Sequence, residues 1–427
     1  MAKQAATERP ARTERAAART HDPVTGLPVP TLADVFRAKR VVDRYLKVRI
    51  VNRTGTIKLL VDAHVFDGEY QGTRTYLKEL YSRLTNKDDL QLFLAAYDTD
   101  KLRSEFPHAG NTVFLQYRNR RSIPRLLFDI PALVKKYGID YAHFQYISPL
   151  RKNCRFIVTT HDVLFDEQPA EFPFLYRKLK HVLYKKAAQQ ANLLTTVSEY
   201  SKGSIHRHLG IPGNSIHVIP HGVQPGYFAP CDKSVAAEGV FRKYGVQNFI
   251  LCVSRLEPRK NQDLLLRAYS DLQLHRQGYT LVFIGHRSLA VPAFDELLQQ
   301  APPEIRQSVH WLDKVPDEDL ASFYRAAAVF VYPSKAEGFG MPALEAAACR
   351  TPVLCSSATA LADFGFFGAN HVSPADYPVF RDRLAELTTN AQNPEISERI
   401  AHHIRGNYDW DKTANRFYEL LKQDSLQ

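Results

Sequence analysis

Val329-Phe330-Val331-Tyr332-Pro333-Ser334-Lys335-Ala336-Glu337-Gly338-Phe339-Gly340-Met341-Pro342-Ala343-Leu344-Glu345-Ala346 is the stretch that decides the fold. Its apolar start, closed by Pro333, reads as a buried strand. A loop with two glycines follows, and Pro342 then reads as the first residue of a helix, where its missing N–H costs nothing. Strand, loop and helix make one βα unit of a parallel sheet. Gly338 and Gly340 let the backbone approach a ligand closely. The N–H groups of Phe339, Gly340 and Met341 stand at the positive end of the new helix, a place that favours an anion. Glu337 in the loop and Glu345 about one turn into the helix flank this site, and carboxylates accept hydrogen bonds from sugar hydroxyls. The layout predicts a diphosphate in the middle, with a hexose on one side and a ribose on the other.

The same alternation extends outward in both directions. Strands are expected at 248–253, 280–285 and 352–355, with a helix at 262–271. Further upstream come strand candidates at 57–61, 90–96, 141–144, 155–160, 192–197 and 216–223, and helices at 73–84 and 173–190. Pro225, Gly226 and Pro230 mark a junction between two such series. The expected fold class is therefore α/β, with two Rossmann-like doubly wound domains at 54–228 and 229–407. Their ligand crevices lie at the carboxyl ends of the strands and face a central cleft. Residues 1–30 read as a disordered extension, and 31–53 as a basic amphipathic helix.

A second cluster sits at one of these strand ends, in Cys252-Val253-Ser254-Arg255-Leu256-Glu257-Pro258-Arg259-Lys260-Asn261. Arg255 and Lys260 fall between strand and helix, where Arg grips phosphate oxygens bidentately and Lys adds a compact charge.

Composition narrows the classes. The chain has 427 residues, 44% hydrophobic and 24% charged, as in an ordinary globular protein. No stretch approaches the roughly 20 apolar residues of a membrane span, and the first thirty residues lack the apolar core of a secretory signal. Five scattered cysteines form no Cys-x-x-Cys pair, and the four in or beside apolar runs predict core thiols in a reducing compartment, not a metal site. A net charge of +11 suggests anionic partners. No zinc-finger or RNP-type pattern supports nucleic acid among them.

Taken together, Arg255, Lys260 and the Glu337 to Glu345 segment resemble the donor site of retaining GT-B glycosyltransferases, in the large family 4 that includes bacterial mannosyltransferases. The resemblance extends over about 57–422 and includes 196–202, 219–223 and 409–414. It implies that Arg255 and Lys260 neutralise the donor diphosphate and that Glu345 holds the ribose hydroxyls. Glu337, with Gly338 and the backbone of Phe339, Gly340 and Met341, would hold the hexose and its phosphate. His161 would reach across the cleft toward the transferred sugar, and a last helix in 408–427 would cross back onto the N-terminal domain. Asp313, Asp363 and the Phe364–Gly368 run depart from the family pattern and affect the base pocket and local loop shape.

The implied activity is retaining transfer of a hexose from a nucleotide diphosphate-sugar, with GDP-mannose the first candidate, in surface polysaccharide or glycoconjugate synthesis. The donor is a substrate, and no cofactor or metal is expected, because fixed cations can stabilise the leaving diphosphate. Catalytic candidates are His161, Arg255, Lys260 and Glu337. The acceptor, a glycan or lipid-linked sugar, is expected at Gln71, Gly72, Thr73 and Arg74. Basic and aromatic residues at 172–186 suggest a cytoplasmic protein peripherally attached to the inner face of an anionic membrane. An epimerase of the same fold and a catalytically silent scaffold are the rival readings.

Overall fold

Apolar runs buried on both faces become parallel strands. A computed structural model describes residues 55–68, 72–390 and 392–426. The expected extension, the basic helix at 31–53 and Gln71 lie outside the described residues. Seven strands form the first sheet: β1 (Ile57–Asp62), β2 (Leu90–Ala96), β3 (Val113–Gln116), β4 (Tyr141–Gln145), β5 (Arg155–Thr159), β6 (Leu193–Thr196) and β7 (Ile216–Val218). They lie in the order β3-β2-β1-β4-β5-β6-β7. The second sheet holds β8 (Phe249–Val253), β9 (Thr280–Ile284), β10 (Val309–Leu312), β11 (Val329–Tyr332), β12 (Val353–Ser356) and β13 (His371–Val372), ordered β10-β9-β8-β11-β12-β13.

The helices that matter for the site are α1 (Gly72–Ser82), α2 (Phe174–Gln190), α3 (Glu199–Leu209), α4 (Gln262–Asp271), α5 (Asp317–Ala326), α6 (Met341–Ala348) and α7 (Trp410–Ser425). Each sheet has one place where the chain order reverses. At these points β1 is flanked by β2 and β4, and β8 by β9 and β11. Loops leaving the carboxyl ends of strands on either side of a reversal diverge and open a crevice.

Strand and helix bounds follow the expected ones within about two residues, with three kinds of exception. The short strands β3, β10 and β13 carry no long apolar run. The stretch 216–223 is a strand only as far as Val218, because beyond it the chain leaves the sheet to cross toward the second unit. Helix α6 begins at Met341, so Pro342 is its second residue instead of its first.

Two backbone segments strap the units together. Val223 pairs with Asp409 in a parallel bridge, and its N–H donates to Tyr408 O at 2.8 Å. Helix α7 then lies across the first unit. Phe417 packs 6.1 Å from the Tyr81 ring, Thr413 Oγ1 donates to Pro220 O at 2.9 Å, and Tyr141 OH donates to Asp424 at 2.6 Å. One apolar cluster runs from Leu59 and Tyr76 through Trp410 to Phe339 and Phe364, so the two units share core contacts.

Gly222 is the tightest point of the strap. A Cβ there would stand 2.3 Å from Trp410 N and 2.7 Å from Trp410 Cγ. Gly222→Ala should therefore lower stability by about 1–3 kcal/mol, as overpacking does. The measurement is the urea midpoint, and a midpoint equal to wild type contradicts the contact.

Candidate active site

Because β8 and β11 are neighbours, the loops after them meet. Lys335 N donates to Arg259 O at 2.7 Å, and Asn261 Nδ2 donates to Pro333 O at 3.1 Å. Over this seam lies Glu337, 7% exposed. Lys260 Nζ donates to its Oε1 at 2.6 Å, and Arg259 Nη1 donates to its Oε2 at 3.1 Å. Arg259 also bonds Ala336 O at 3.0 Å and pairs with Glu257 at 2.8 Å, while Lys260 reaches Tyr332 OH at 3.2 Å. Burial pushes the Glu337 carboxyl up, but Lys260 and Arg259 outweigh it and hold the group at about 2. Burial and the Arg259 charge pull Lys260 below the ordinary lysine range, against the opposing pull of Glu337 and Glu257. Losing one partner of such a buried pair costs about 3–5 kcal/mol, because the other charge is left uncompensated.

Glu345 stands on α6, half-buried, and accepts a hydrogen bond from Tyr324 OH of α5 at 2.9 Å. Its burial raises the carboxyl to about 7, only partly offset by that hydroxyl. Arg255 lies half-buried just beyond the end of β8. The glycines between the two glutamates have a further reason, in the protein itself. A Cβ on Gly338 would meet Asp162 Oδ2 at 2.8 Å, and one on Gly340 would meet Leu361 Cδ2 at 2.3 Å. Gly340 also has φ of 113°, a conformation that disfavours side chains. Backbone conformation favours glycine at 340, and at 338 a side chain would have to displace Asp162. The aromatic run around Phe364 forms part of this wall, its ring centroid 5.8 Å from that of Phe339.

The first unit reaches the same loop. Ser198 Oγ and Ser201 Oγ at the start of α3 both donate to Gly338 O at 3.1 Å, and His221 packs 4.9 Å from Phe339. His161 stands two residues past the end of β5, buried, with Nε2 donating to Gln145 Oε1 at 2.7 Å and its ring 5.0 Å from Tyr76. Burial holds the imidazole at about 3, so it is neutral near pH 7. Burial likewise raises the neighbouring Asp162 carboxyl, with Arg259 of the second unit pulling it back down.

Of the acceptor candidates, Gly72 and Thr73 open α1. Arg74 pairs with Glu105 of the helix Thr99–Glu105 and its guanidinium lies 5.3 Å from the Phe66 ring centre. Asp313 pairs with His286 at 2.8 Å on the surface, and Asp363 Oδ2 accepts from Tyr200 N at 3.4 Å.

Two family models match the chain, Glycosyltransferase Family 4 over residues 70–227 and Glycosyl transferases group 1 over 237–393. The chain belongs to these glycosyltransferases. It is 29% identical to O-antigen chain mannosyltransferase B of Escherichia coli over 68% of this chain and 80% of that protein. It is 23% identical to a GDP-mannose-dependent phosphatidylinositol monomannoside mannosyltransferase of Mycolicibacterium smegmatis, over 85% of this chain and 98% of that protein. In fold it matches a sucrose-phosphate synthase of Thermosynechococcus elongatus, with a TM-score of 0.67, 19% identity, and coverage of 86% and 98% of the two chains. The architecture is GT-B.

The glycosyltransferase brings Arg255, Lys260, Glu337, Gly338, Phe339, Gly340, Met341 and Glu345 onto two adjacent loops and one helix start. His161 lies against the other side of the Gly338–Phe339 segment through its neighbours Asp162 and His221. Sequence reasoning missed four contributors: Arg259, Asp162, Gln145 and Tyr324. The charge-dense run Glu257-Pro258-Arg259-Lys260 carried a signal for the first of them.

The Glu345 carboxyl gives a pH signature. Its folded pKa lies above the ordinary 4.5, so the folded state holds a proton that the unfolded chain has released between about 4.5 and about 7. Its contribution to stability therefore falls as pH rises through that window. Glu345→Gln keeps an acceptor for Tyr324 and removes the titration, so thermal melts of the variant should lose less stability over the window than wild type. Parallel pH profiles contradict the assignment.

Proposed function

We infer that this glycosyltransferase moves a hexose, with retention of anomeric configuration, from a nucleoside diphosphate-sugar to a glycan or lipid-linked acceptor. GDP-mannose is the first donor to test. The observation that carries this reading is the buried Glu337 carboxylate, held by two cations beside the Gly340 helix start, with Glu345 on the far flank. The mannosyl relatives support the choice of hexose. The first unit (54–228) would receive the acceptor, the second (229–407) the donor.

In the reaction the bond between the anomeric carbon and the diphosphate oxygen breaks, and the acceptor oxygen forms its bond on the same face. The acceptor proton passes to the departing phosphate. Negative charge grows on that phosphate, where Arg255, Lys260 and the backbone N–H groups of the α6 start stabilise it. These groups are fixed by the fold before the substrate arrives, so little reorganisation opposes the step. Glu337 accepts from the hexose hydroxyls and Glu345 from the ribose. Neutral His161, oriented by Gln145, contacts the transferred sugar. With cations supplied by the chain, the reaction runs without a divalent metal. The site of action is the cytoplasmic face of a membrane bearing the acceptor.

Thermal-shift screening of a nucleotide-sugar panel in a chelator tests the donor, because the ligand that binds the folded state raises the melting temperature with its concentration. GDP-mannose should give the largest shift, and a panel without any shift overturns the reading. Arg255→Ala should raise the barrier to turnover by about 2.7–4 kcal/mol, as loss of one preorganised donor does. His161→Ala should lower kcat far more than it raises the donor Kd, and an unchanged kcat removes His161 from the chemistry.

A further inference from the structure

The two faces of the first sheet differ in character where β4, β5 and β6 lie side by side. One face carries Ala142, Phe144, Phe156, Val158 and Leu194, all buried. The other, toward the carboxyl ends of the same strands, carries His143 and Gln145 of β4, Thr159 of β5 and Thr195 of β6, none more than 5% exposed. Gln145 pairs with Thr159 and Thr159 with Thr195, and paired residues share a face. Burying polar groups is costly unless each finds a partner, and apolar residues could fill this face as they fill the other.

The partners form one chain that ends on His161. His161 Nε2 donates to Gln145 Oε1 at 2.7 Å, and Gln145 Nε2 donates to His143 Nε2 at 3.1 Å. Burial holds the His143 imidazole at about 3, so the ring is neutral near pH 7. Its one proton therefore sits on Nδ1, which donates to Tyr81 OH of α1 at 2.5 Å. Thr159 Oγ1 donates to the same His143 Nε2 at 2.7 Å, with Thr195 Oγ1 2.7 Å behind it. Phe417 of α7 stacks on the His143 ring, centroids 5.4 Å apart, and holds its plane. A neutral imidazole and an amide each have one donating end and one accepting end, so the state of one member fixes the next.

We propose that His143 is a positioning residue for His161: through the Gln145 amide it fixes the His161 proton on Nε2 and leaves Nδ1 as the accepting nitrogen. A sugar hydroxyl meeting Nδ1 then donates to it, whereas the opposite tautomer would present an N–H there. That His161 meets the sugar rests on the proposed function; the placing of its proton does not.

The test is a long-range nitrogen–proton correlation spectrum of the full chain, isotope-labelled in histidine, which separates the two neutral tautomers. The His161 signals are identified by their loss in His161→Ala. Wild type should show His161 protonated on Nε2. Tyr81→Phe removes one oxygen and leaves the His143 Nδ1–H without an acceptor, so that proton should move to Nε2. The Gln145 amide then turns over, and the His161 proton should shift to Nδ1. His143→Phe keeps the stack on Phe417 and should leave His161 in a mixture of tautomers; His143→Gln returns an oxygen to Gln145 Nε2 and should restore the wild-type form. Tyr81→Phe changes so little volume that it carries the test if His143→Phe does not fold. Both Tyr81→Phe and His143→Phe should lower kcat with GDP-mannose by up to about a hundredfold, as a small misplacement of a reacting group does, at unchanged donor Kd. Neither should add to the loss in a His161→Ala background. A His161 that keeps its proton on Nε2 in Tyr81→Phe and His143→Phe overturns the proposal, as does a wild type protonated on Nδ1. Moved tautomers with an unchanged kcat leave the relay standing and remove His161 from the proposed chemistry.

Discussion

A single buried carboxylate organises the loops that leave β8 and β11. Glu337 is excluded from water, and an isolated carboxylate in that position would be protonated or pulled out to solvent. Lys260 and Arg259 keep it ionised and in place, and they can do so only because β8 and β11 are adjacent and deliver their loops to the same spot. The parallel sheet thus solves a problem of sequence distance. The price is a cluster in which every charge depends on the others, so the proposed diphosphate would enter a field already balanced among Glu257, Arg259, Lys260 and Glu337.

The loop that carries Glu337 is also the seam between the units. Gly338 O accepts two serine hydroxyls from α3, Asp162 fills the space beside Gly338, and His221 lies against Phe339. On the far side the strap through Gly222 and Trp410 closes the same seam. The proposed donor contacts and the inter-unit contacts therefore fall on one segment. A change of either kind is felt by the other, because a packed seam of this sort has few intermediate positions.

Much of this was legible in the sequence, for definite reasons. The long buried strands and the βα unit around Glu337 carry their periodicity and punctuation locally, so the two-unit α/β architecture could be read directly. Arg255, Lys260, Glu337 and Glu345 stood at strand ends and a helix start, which are local features too. What the sequence hid is tertiary. That Arg259, beside Lys260, grips Glu337 depends on the register of two loops seventy-odd residues apart. That Tyr324 orients Glu345, and Gln145 orients His161, depends on how helices and strands stack. The glycines were read as letting the backbone approach a ligand; that Asp162 and Leu361 stand where their side chains would point is a tertiary feature the sequence did not show.

The most direct test of the clamp is a crystal structure of the full chain soaked with GDP-mannose in the presence of a chelator. The account predicts diphosphate density between Arg255, Lys260 and the start of α6, with the hexose on Glu337, the ribose on Glu345 and no metal ion between the phosphates. Nucleotide bound elsewhere, with the Lys260–Glu337 pair untouched and the space before Gly340 empty, would contradict it.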